Sequence, residues 1–350
     1  MWLLLVCYIL YFLSLWFLPD HVLLTTKISL LFSVLFFIYF GLKKRRLKQL
    51  LRRLVDASFT IVFVALVCFI LVRLIPGTPL ALDELSPEVQ KQLVKTYDLD
   101  QPIFIQLKNN VAQLVQGDLG ESLVSGRKIS YILSYYVPRS LQLGVIALVF
   151  CILLSFLFLF VKIFFIKDGS RAEQVYLFVL SSQMAMPSFL VAALLSYILA
   201  YNFSLLPMGL WLGPAHYLLP ALSLCVRPAS ILTELLINSV ESELGQNYVQ
   251  ALKAKGVSRT RVILKHILPV ASLSALGFLG PLASSLLTGS FVIEYMFAIP
   301  GAGSLMVDSV LNRDYPVILV MTLLFCILLQ FFNFLSDVLS EYLNPQVEAL

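Results

Sequence analysis

The chain contains 350 residues, of which 59% are hydrophobic and 13% are charged, and its mean hydropathy is +0.91. Soluble proteins average about 45–50% apolar and about 25% charged residues, so this composition excludes an ordinary soluble domain. It predicts an all-α, polytopic membrane helical bundle. The formal net charge of +5 does not indicate nucleic-acid binding, because the basic residues cluster beside apolar segments.

The five cysteines and three histidines form no metal or disulfide pattern. Each cysteine stands alone inside an apolar run, and no C-x-x-C spacing occurs. The histidines, His21, His216 and His266, lie in different segments without a second ligand three or four residues away. Neither a disulfide framework nor a zinc site is therefore expected.

Apolar runs long enough to cross a bilayer recur along the whole chain. A membrane-spanning helix needs about 20 predominantly apolar residues, and eight runs approach or exceed that length. They lie at about 2–18, 22–42, 54–75, 140–161, 174–200, 217–238, 267–293 and 315–336. The first run lacks a preceding basic segment and a second follows at once, which favours two N-terminal spans over a cleaved signal peptide. Pro187 predicts a kink in the fifth run.

The segment 43–53 indicates the orientation of the bundle. Seven of its eleven residues are basic, and such segments beside a span stay in the cytoplasm. Its leucines at 47, 50 and 51, together with Leu54, follow an i, i+3, i+4, i+7 spacing that predicts an apolar face among lipid headgroups. A solvated basic linker is the alternative. Alternating sides at each span places loops 162–173 and 239–266 inside, with both chain termini cytoplasmic.

Residues 76–138 form the long polar region and are expected outside. The tripeptide S-P-E at 86–88 predicts the N-cap, first-position proline and first-turn acid of a helix. A second amphipathic helix follows Asp100, and Gly117 can close it.

Two charges are expected deep in the membrane. Arg227 stands near the middle of the 217–238 run, and Glu234 follows seven residues later on a similar helix face. A charge at that depth is costly, so both should face protein or a water-filled path. Two alternatives remain open: pairing with each other or with a partner subunit, and contact with a peptide terminus.

The stretch 239–269 predicts a helix, a sharp turn and a second helix at the cytoplasmic surface. A ridge at i, i+4, i+7 and i+8 is expected on the first helix. It consists of Leu244, Tyr248, Ala251 and Leu252. Gly256 should end this helix and Ser258 should cap the next, which runs to Pro269. Because the ridge is narrow and the other faces are polar, the element suits docking into a groove on a soluble partner.

The outer stretch 294–314 predicts a tight turn. An acid and an Arg-Asp pair flank the sequence I-P-G-A-G, whose glycines permit positive φ and close backbone approach. A gate-like loop facing a binding protein and a plain tight connection both fit this pattern. The candidate residues are Glu294, Pro300, Gly301, Gly303, Arg313 and Asp314.

The sequence lacks the motifs of several other functional classes. No G-x-x-x-x-G-K-[ST] loop occurs, so ATP energy would have to come from another chain. No paired Asp, H-E-x-x-H or Ser with Lys or His at membrane depth indicates an intramembrane enzyme. An ion-coupled secondary transporter needs an acidic or broken-helix site near the midplane, for which only Glu234 qualifies.

The cytoplasmic stretch resembles the permease subunits of ABC importers. Their signature is E-A-A, three residues, Gly, nine residues, then I-x-L-P. The positions that match at the right spacing are Ala251, Gly256, Leu268 and Pro269. The Glu, second Ala and Ile positions are occupied by Gln250, Leu252 and His266.

Other stretches are similar to the oligopeptide, dipeptide and nickel branch of that family. They are R-L-I-P-G-T-P-L (73–80), Q-G-D-L-G-E-S-L (116–123), Y-V-P-R-S-L-Q-L (136–143), N-Y-V-Q-A-L-K-A-K-G-V-S (247–258) and E-Y-M-F-A-I-P-G-A-G (294–303) with R-D-Y-P after it. The resemblance covers about 47–345, and the N-terminal pair of spans departs from the family.

The resemblance implies a domain organisation. A six-span permease core occupies 47–345, with an external subdomain at about 76–138 and a cytoplasmic coupling region at about 239–268. The two extra spans lie in 1–46, and 346–350 is a cytoplasmic tail.

The resemblance also implies a cell-membrane transport subunit for peptides, without chemistry of its own. A second, similar permease, two ATPases that hold ATP and Mg²⁺, and an external solute-binding protein would complete the importer. The helix at 244–256 would be a coupling helix on one ATPase, and the bases at 253–265 would meet that ATPase or anionic lipid. The implied coupling residues are Leu244, Tyr248, Gln250, Ala251, Leu252, Gly256, Leu268 and Pro269. Dipeptides, longer peptides, antimicrobial peptides and chelated nickel all fit this class as substrates.

Overall fold

The structure, a computed structural model, describes residues 44–74 and 101–343. These residues are mostly helical, and the β structure among them is one isolated bridge between Glu121 and Lys128. The all-α fold expected from the composition is confirmed. The two predicted N-terminal spans and the predicted first external helix lie outside the described residues.

The described residues form twelve α-helices. They are α1 (Lys44–Leu74), α2 (Ile103–Val115), α3 (Ile129–Phe165), α4 (Arg171–Ala185), α5 (Ser188–Leu195), α6 (Pro214–Leu244), α7 (Asn247–Ala254), α8 (Arg259–Arg261), α9 (Leu268–Leu276), α10 (Leu279–Met296), α11 (Ala302–Leu311) and α12 (Tyr315–Leu343). Two π-helical segments, Ser196–Asn202 and Val262–Ile267, continue α5 and α8.

The chain divides into two compact units, residues 1–58 and 59–350. The described part of the first unit is the beginning of α1, which carries the basic residues from 44 to 53. The second unit contains the rest of α1 and all the helices from α2 to α12.

Three described helices, α3, α6 and α12, are long and apolar enough to cross a membrane, and α4 with α5 supplies a fourth if the bent pair counts as one span. The apolar part of α1, Val55–Leu71, is shorter. The hydrophobic runs at 140–161, 217–238 and 315–336 therefore correspond to continuous helices.

The expected kink at Pro187 is a bend of 109° between α4 and the helix formed by α5 and its π-helical continuation. Met186 leaves the helical region, with ψ at 128°, and Pro187 then starts α5. Proline causes both effects, because its ring disfavours a helical conformation in the preceding residue and it has no N–H to donate back.

The apolar run predicted at 267–293 contains a break in its helix. The chain breaks between α9 and α10 at Gly277 and Phe278. At this level α10 lies against α12: a Cβ on Gly280 would stand 2.5 Å from Cβ of Ser336. The Ser336 hydroxyl donates a 3.1 Å hydrogen bond to the carbonyl of Gly277. This interaction uses a carbonyl at the break, as burial in a bilayer requires.

Helix α6 lies at the centre of the second unit, where it packs against α3, α4, α5, α9 and α10. Within lipid, close packing and interhelical hydrogen bonds hold helices together, and small residues permit that approach. Ala221 and Ala229 are fully buried on α6. Ser230 of α6 donates a 2.7 Å hydrogen bond to the side-chain carbonyl of Gln183 on α4. α6 is thus held on most of its surface.

Candidate functional site

The predicted coupling element follows the end of α6. α7 is shorter at both ends than the predicted helix 244–256, and Leu244 is the last residue of α6. Gly245 separates the two helices. The sequence pattern missed this break because the apolar spacing continues across it. Ser258 precedes α8 as predicted, but its side chain makes no capping hydrogen bond.

Gly256 forms the sharp turn that the sequence predicted. Its φ is +76°, in the left-handed region that favours glycine. The Gly256 N–H donates to the carbonyl of Lys253 at 2.9 Å, and the Val257 N–H donates to that of Leu252 at 3.2 Å. This pair of bonds is a Schellman motif, which satisfies the last carbonyls of α7. The direction of the chain after α7 is therefore fixed by the backbone.

One side of α7 is apolar and packs against the protein, and the rest of its surface is exposed. Val249 is fully buried and Leu252 is half-buried, whereas Tyr248, Gln250 and Ala251 are exposed. The predicted ridge is thus divided: one part faces the protein and the other part faces outward. Val249 was missed, although its i, i+3 spacing to Leu252 is a signal for a common face.

Exposed basic side chains lie on α7 and on the segment that follows it. The exposed bases of this stretch are Lys253, Lys255, Arg259, Arg261 and Lys265. No acidic residue occurs between 244 and 269. The surface therefore attracts an anionic partner. Of the remaining predicted coupling residues, Leu268 is half-buried and Pro269 is exposed at the start of α9.

Tyr248 connects α7 to the end of α6. Its hydroxyl donates a 2.7 Å hydrogen bond to the carboxylate of Glu243. Burial, this hydrogen bond and the charge of Glu243 raise the pKa of Tyr248 to about 12, so the phenol keeps its proton at physiological pH. The exposed ring is thereby held in one orientation.

A buried lysine at the end of α3 pairs with carboxylates of the following loop and of α4. Only 5% of the Lys162 side chain is exposed, and its ammonium donates to Asp168 at 2.8 Å and to Glu173. The second oxygen of Glu173 accepts from the N–H of Gly169 at 2.6 Å. Ser170 caps α4 through the N–H of Glu173. Hydrogen bonds from Lys162 lower the pKa of Asp168 and of Glu173, so both carboxyls are ionised at neutral pH.

This lysine network lies next to the coupling element. The charge of Arg259 in α8 also lowers the pKa of Asp168, a smaller effect than that of Lys162. Val249 of α7 and Leu159 of α3 belong to the same apolar cluster. The base of α7, the inner end of α3 and the start of α4 therefore form one packed body, which residue spacing alone could not indicate.

The outer candidate residues surround a buried carboxylate. Glu294, near the end of α10, is fully buried and accepts from Ser290 Oγ at 2.8 Å and from the N–H groups of Gly303 and Ser304 at 2.7 and 3.2 Å. Ser140 of α3 accepts from the N–H of Ala302 at 2.6 Å. The first N–H groups of α11 have no acceptor within their own helix. Glu294 of α10 and Ser140 of α3 accept their hydrogen bonds instead.

Gly301 and Gly303 are needed here for close approach. The φ of Gly301 is −112°, and Gly303 lies within α11 without a positive φ, so the expected use of positive φ is wrong. A Cβ on Gly301 would stand 2.6 Å from Ser140 Oγ and would overlap the Glu294 carboxylate. A Cβ on Gly303 would stand 2.6 Å from Cα of Phe291. Both glycines let the turn wrap around Glu294.

Asp314 holds a second outer connection. It is buried and accepts from Ser122 Oγ at 2.5 Å and from the N–H of Leu123 at 3.1 Å. Arg313 beside it is exposed, with φ at +55°. Ser122 and Ser140 were missed as partners, because each lies more than 150 residues away in sequence.

The two charges of α6 lie on its exposed side. Arg227 and Glu234 are both exposed, and Asn238 and Glu241 continue the same face. They stand apart from both clusters described above. The structure therefore groups the predicted residues into the surface at 244–269, a polar face on α6, and the turn at 294–314 with two buried acids.

Comparison with known proteins identifies the family. The sequence model described as "Binding-protein-dependent transport system inner membrane component" matches residues 159–349. The dipeptide transport system permease protein DppB of Bacillus subtilis is 33% identical over 303 residues, which cover 86% of this chain and 98% of that protein. The chain belongs to the family of binding-protein-dependent transport permeases. Its assignment from sequence motifs is confirmed.

Further relatives of this permease are similar over the same length. The oligopeptide transport system permease protein OppB of Haemophilus influenzae is 32% identical over 305 residues, which cover 86% of this chain and 99% of that protein. OppB of Escherichia coli is 31% identical over 305 residues, with the same coverage. The permease is accordingly a transport subunit in a multi-pass membrane protein family, whose systems include a solute-binding protein and an ATPase.

Solved structures support the fold of the permease. An inward-facing structure of the MetNI methionine ABC transporter superposes with a TM-score of 0.50 at 14% sequence identity. The match covers 61% of this chain and 97% of that chain. At this identity the similarity shows the helical fold alone.

Proposed function

We propose that this permease forms half of the membrane pathway of an ATP-driven peptide importer. A second homologous permease completes the pathway, two cytoplasmic ATPases bind ATP and Mg²⁺, and an external solute-binding protein delivers the substrate. This chain binds neither ATP nor a metal. Both of its termini lie in the cytoplasm, so α7 faces the ATPases and the turn at 299–303 faces the binding protein.

The observation that carries the proposal is α7 with its Gly256 turn. The Schellman motif fixes the direction of the chain after α7, and its buried apolar side holds the helix against the protein. Because α7 cannot reorient, it can transmit force from a bound partner. Its exposed residues and the bases that follow offer a docking face, and no acidic residue occurs from 244 to 269. Closure of ATPases bound there would move α7 as a rigid body together with the inner ends of α3, α4 and α6.

The peptide substrate is supported by the relatives. Permeases named for dipeptide and oligopeptide transport match over 86% of this chain. Arg227 and Glu234 would line the pathway, because their face of α6 is exposed in this chain and charges at that depth avoid lipid.

The outer turn would serve as a firm docking surface. Glu294 and Asp314 are fully hydrogen-bonded within the protein, and they hold Pro300, Gly301, Gly303 and Arg313 in fixed positions. An external binding protein would therefore meet a preorganised surface, with Arg313 as its exposed charge.

The test is site-specific cross-linking in the assembled complex. A photo-crosslinking amino acid at Ala251 should capture an ATPase subunit, whereas the same group at Ser125, in an outer loop, should not. The purified complex should hydrolyse ATP and import peptide into proteoliposomes only with all subunits present. Peptide uptake by this chain alone, or repeated failure of position 251 to capture an ATPase, would refute the proposal.

A further inference from the structure

The exposed face of α6 has a defined pattern of charge. Arg227, Glu234, Asn238 and Glu241 lie within about 60° of one another around the helix, at 100° per residue. The opposite side is packed with buried residues such as Leu232 and Leu236. The corresponding central stretches of α3 and α12, 140–161 and 315–336, contain no charged residue. The polar face is therefore a specific feature of α6.

Arg227 and Glu234 have no charged partner among the described residues. Neither makes an ion pair or a hydrogen bond through its side chain there. Seven residues separate them, which is about 10 Å along a helix axis. Within the described part of the chain each charge is therefore available to a ligand, and solvation of either by lipid would be very costly.

We propose that Arg227 and Glu234 together bind a zwitterionic peptide as it passes through the membrane. The guanidinium of Arg227 holds the terminal carboxylate, since its forked donors match a carboxylate. The carboxylate of Glu234 holds the terminal ammonium. The inference rests on the proposed function, because it needs a peptide pathway along this face.

The spacing also selects the length and direction of the peptide. An extended chain covers at most about 3.3–3.6 Å per residue, so a separation of about 10 Å fits about three residues. Arg227 lies nearer the outer side in the proposed orientation, so the carboxyl end of the peptide points outward and the amino end points inward.

The experiment is uptake of trialanine by the complete importer in proteoliposomes, at binding-protein saturation for each peptide. Trialanine is compared with its C-terminal amide and its N-acetyl derivative. Wild type should import trialanine about tenfold faster than either capped peptide, the effect of losing one charged hydrogen bond. Arg227→Gln should lower trialanine uptake to that of the amide and leave amide uptake unchanged. Glu234→Gln should remove the discrimination against the N-acetyl peptide only.

Control variants remove the same side-chain types elsewhere. Arg127→Gln and Glu121→Gln alter exposed residues outside α6, and both should keep the wild-type ratios of free to capped uptake. Co-purification of the second permease with each variant reports whether assembly is intact.

Three results would overturn the inference. One is an equal decrease for all three peptides in both variants; another is unchanged ratios in both. The third is loss of the second permease from either single variant, since it indicates that the residue pairs with a group of that subunit. A wild-type complex that imports no peptide overturns the proposed function and this inference together, whereas active import with unchanged ratios overturns this inference alone.

Discussion

The carboxylate of Glu294 accepts a 2.7 Å hydrogen bond from the N–H of Gly303, nine residues later in the chain. Glu294 lies in the last turn of α10 and Gly303 in the first turn of α11, so this bond closes the turn between them over a buried acid. A carboxylate favours the positive end of a helix, which compensates for its burial without a cation. The integrity of the outer turn therefore depends on space around one side chain.

Gly301→Ala should destabilise this turn. The added methyl would overlap Glu294 and stand 2.6 Å from Ser140 Oγ, and overpacking of this kind costs about 1–3 kcal/mol. We expect a lower midpoint of thermal unfolding for the purified complex. Gly289→Ala on α10 is the matched control, because no atom beyond its own helical backbone lies within 4 Å of its Cβ position. Equal stability of the two variants would contradict the packing described for this turn.

Gly256→Val should uncouple ATP hydrolysis from transport. Valine at φ +76° is strained by about 1–2 kcal/mol or more, and the turn after α7 would relax into another direction. We expect near-normal abundance in the membrane, with peptide uptake reduced at least tenfold relative to ATP hydrolysis. Gly126→Val carries similar strain at φ +65° in an outer loop and should retain coupling. Normal uptake per ATP in the Gly256 variant would count against the lever role of α7.

Lys162→Met should weaken the body that supports α7. Removal of the buried ammonium leaves Asp168 and Glu173 close together without their cation. We expect uptake to fall further than abundance, measured as transport rate per assembled complex. The double variant Lys162→Met/Glu173→Met should recover part of the loss, since it removes one of the two repelling carboxylates. No recovery would indicate that Lys162 acts through another partner.

The same network predicts a dependence of stability on acid. The pKa values of Asp168 and Glu173 are lowered in the folded state, so their contribution is complete above the ordinary carboxyl pKa of about 4. It is lost as the pH falls through the lowered values. The difference in thermal stability between wild type and Lys162→Met should be constant from pH 8 to about pH 5 and should shrink below about pH 4. A difference that already shrinks near pH 6 would assign the effect to other groups.

Local chemistry predicted the parts of the site that depend on neighbouring residues. Gly256 was predicted as a turn because glycine adopts a positive φ without steric strain. Pro187 was predicted as a kink because proline has no N–H to donate within a helix. Membership of the family followed from short motifs that span such positions. The N-terminal spans remain predictions, since they lie outside the described residues.

Contacts between distant segments could not be predicted in the same way. Nothing near Glu294 in sequence indicates that Ser140 lies beside the same turn, and Lys162 has no pattern that distinguishes it from an ordinary cytoplasmic anchor. The helix ends at Leu244 and Leu276 were also missed, because apolar spacing continues through both breaks. Hydrophobic periodicity reports which side of a segment is buried, and tertiary packing decides where the segment stops.

The 109° bend at Pro187 has a mechanical consequence for the bundle. The axes of α4 and α5 point in different directions. A displacement along the axis of α4 therefore reaches α5 as a rotation about Pro187 rather than as a translation along α5. If ATPases bind at α7 as proposed, the start of α4 can move with them without an equal translation of the segment after Pro187.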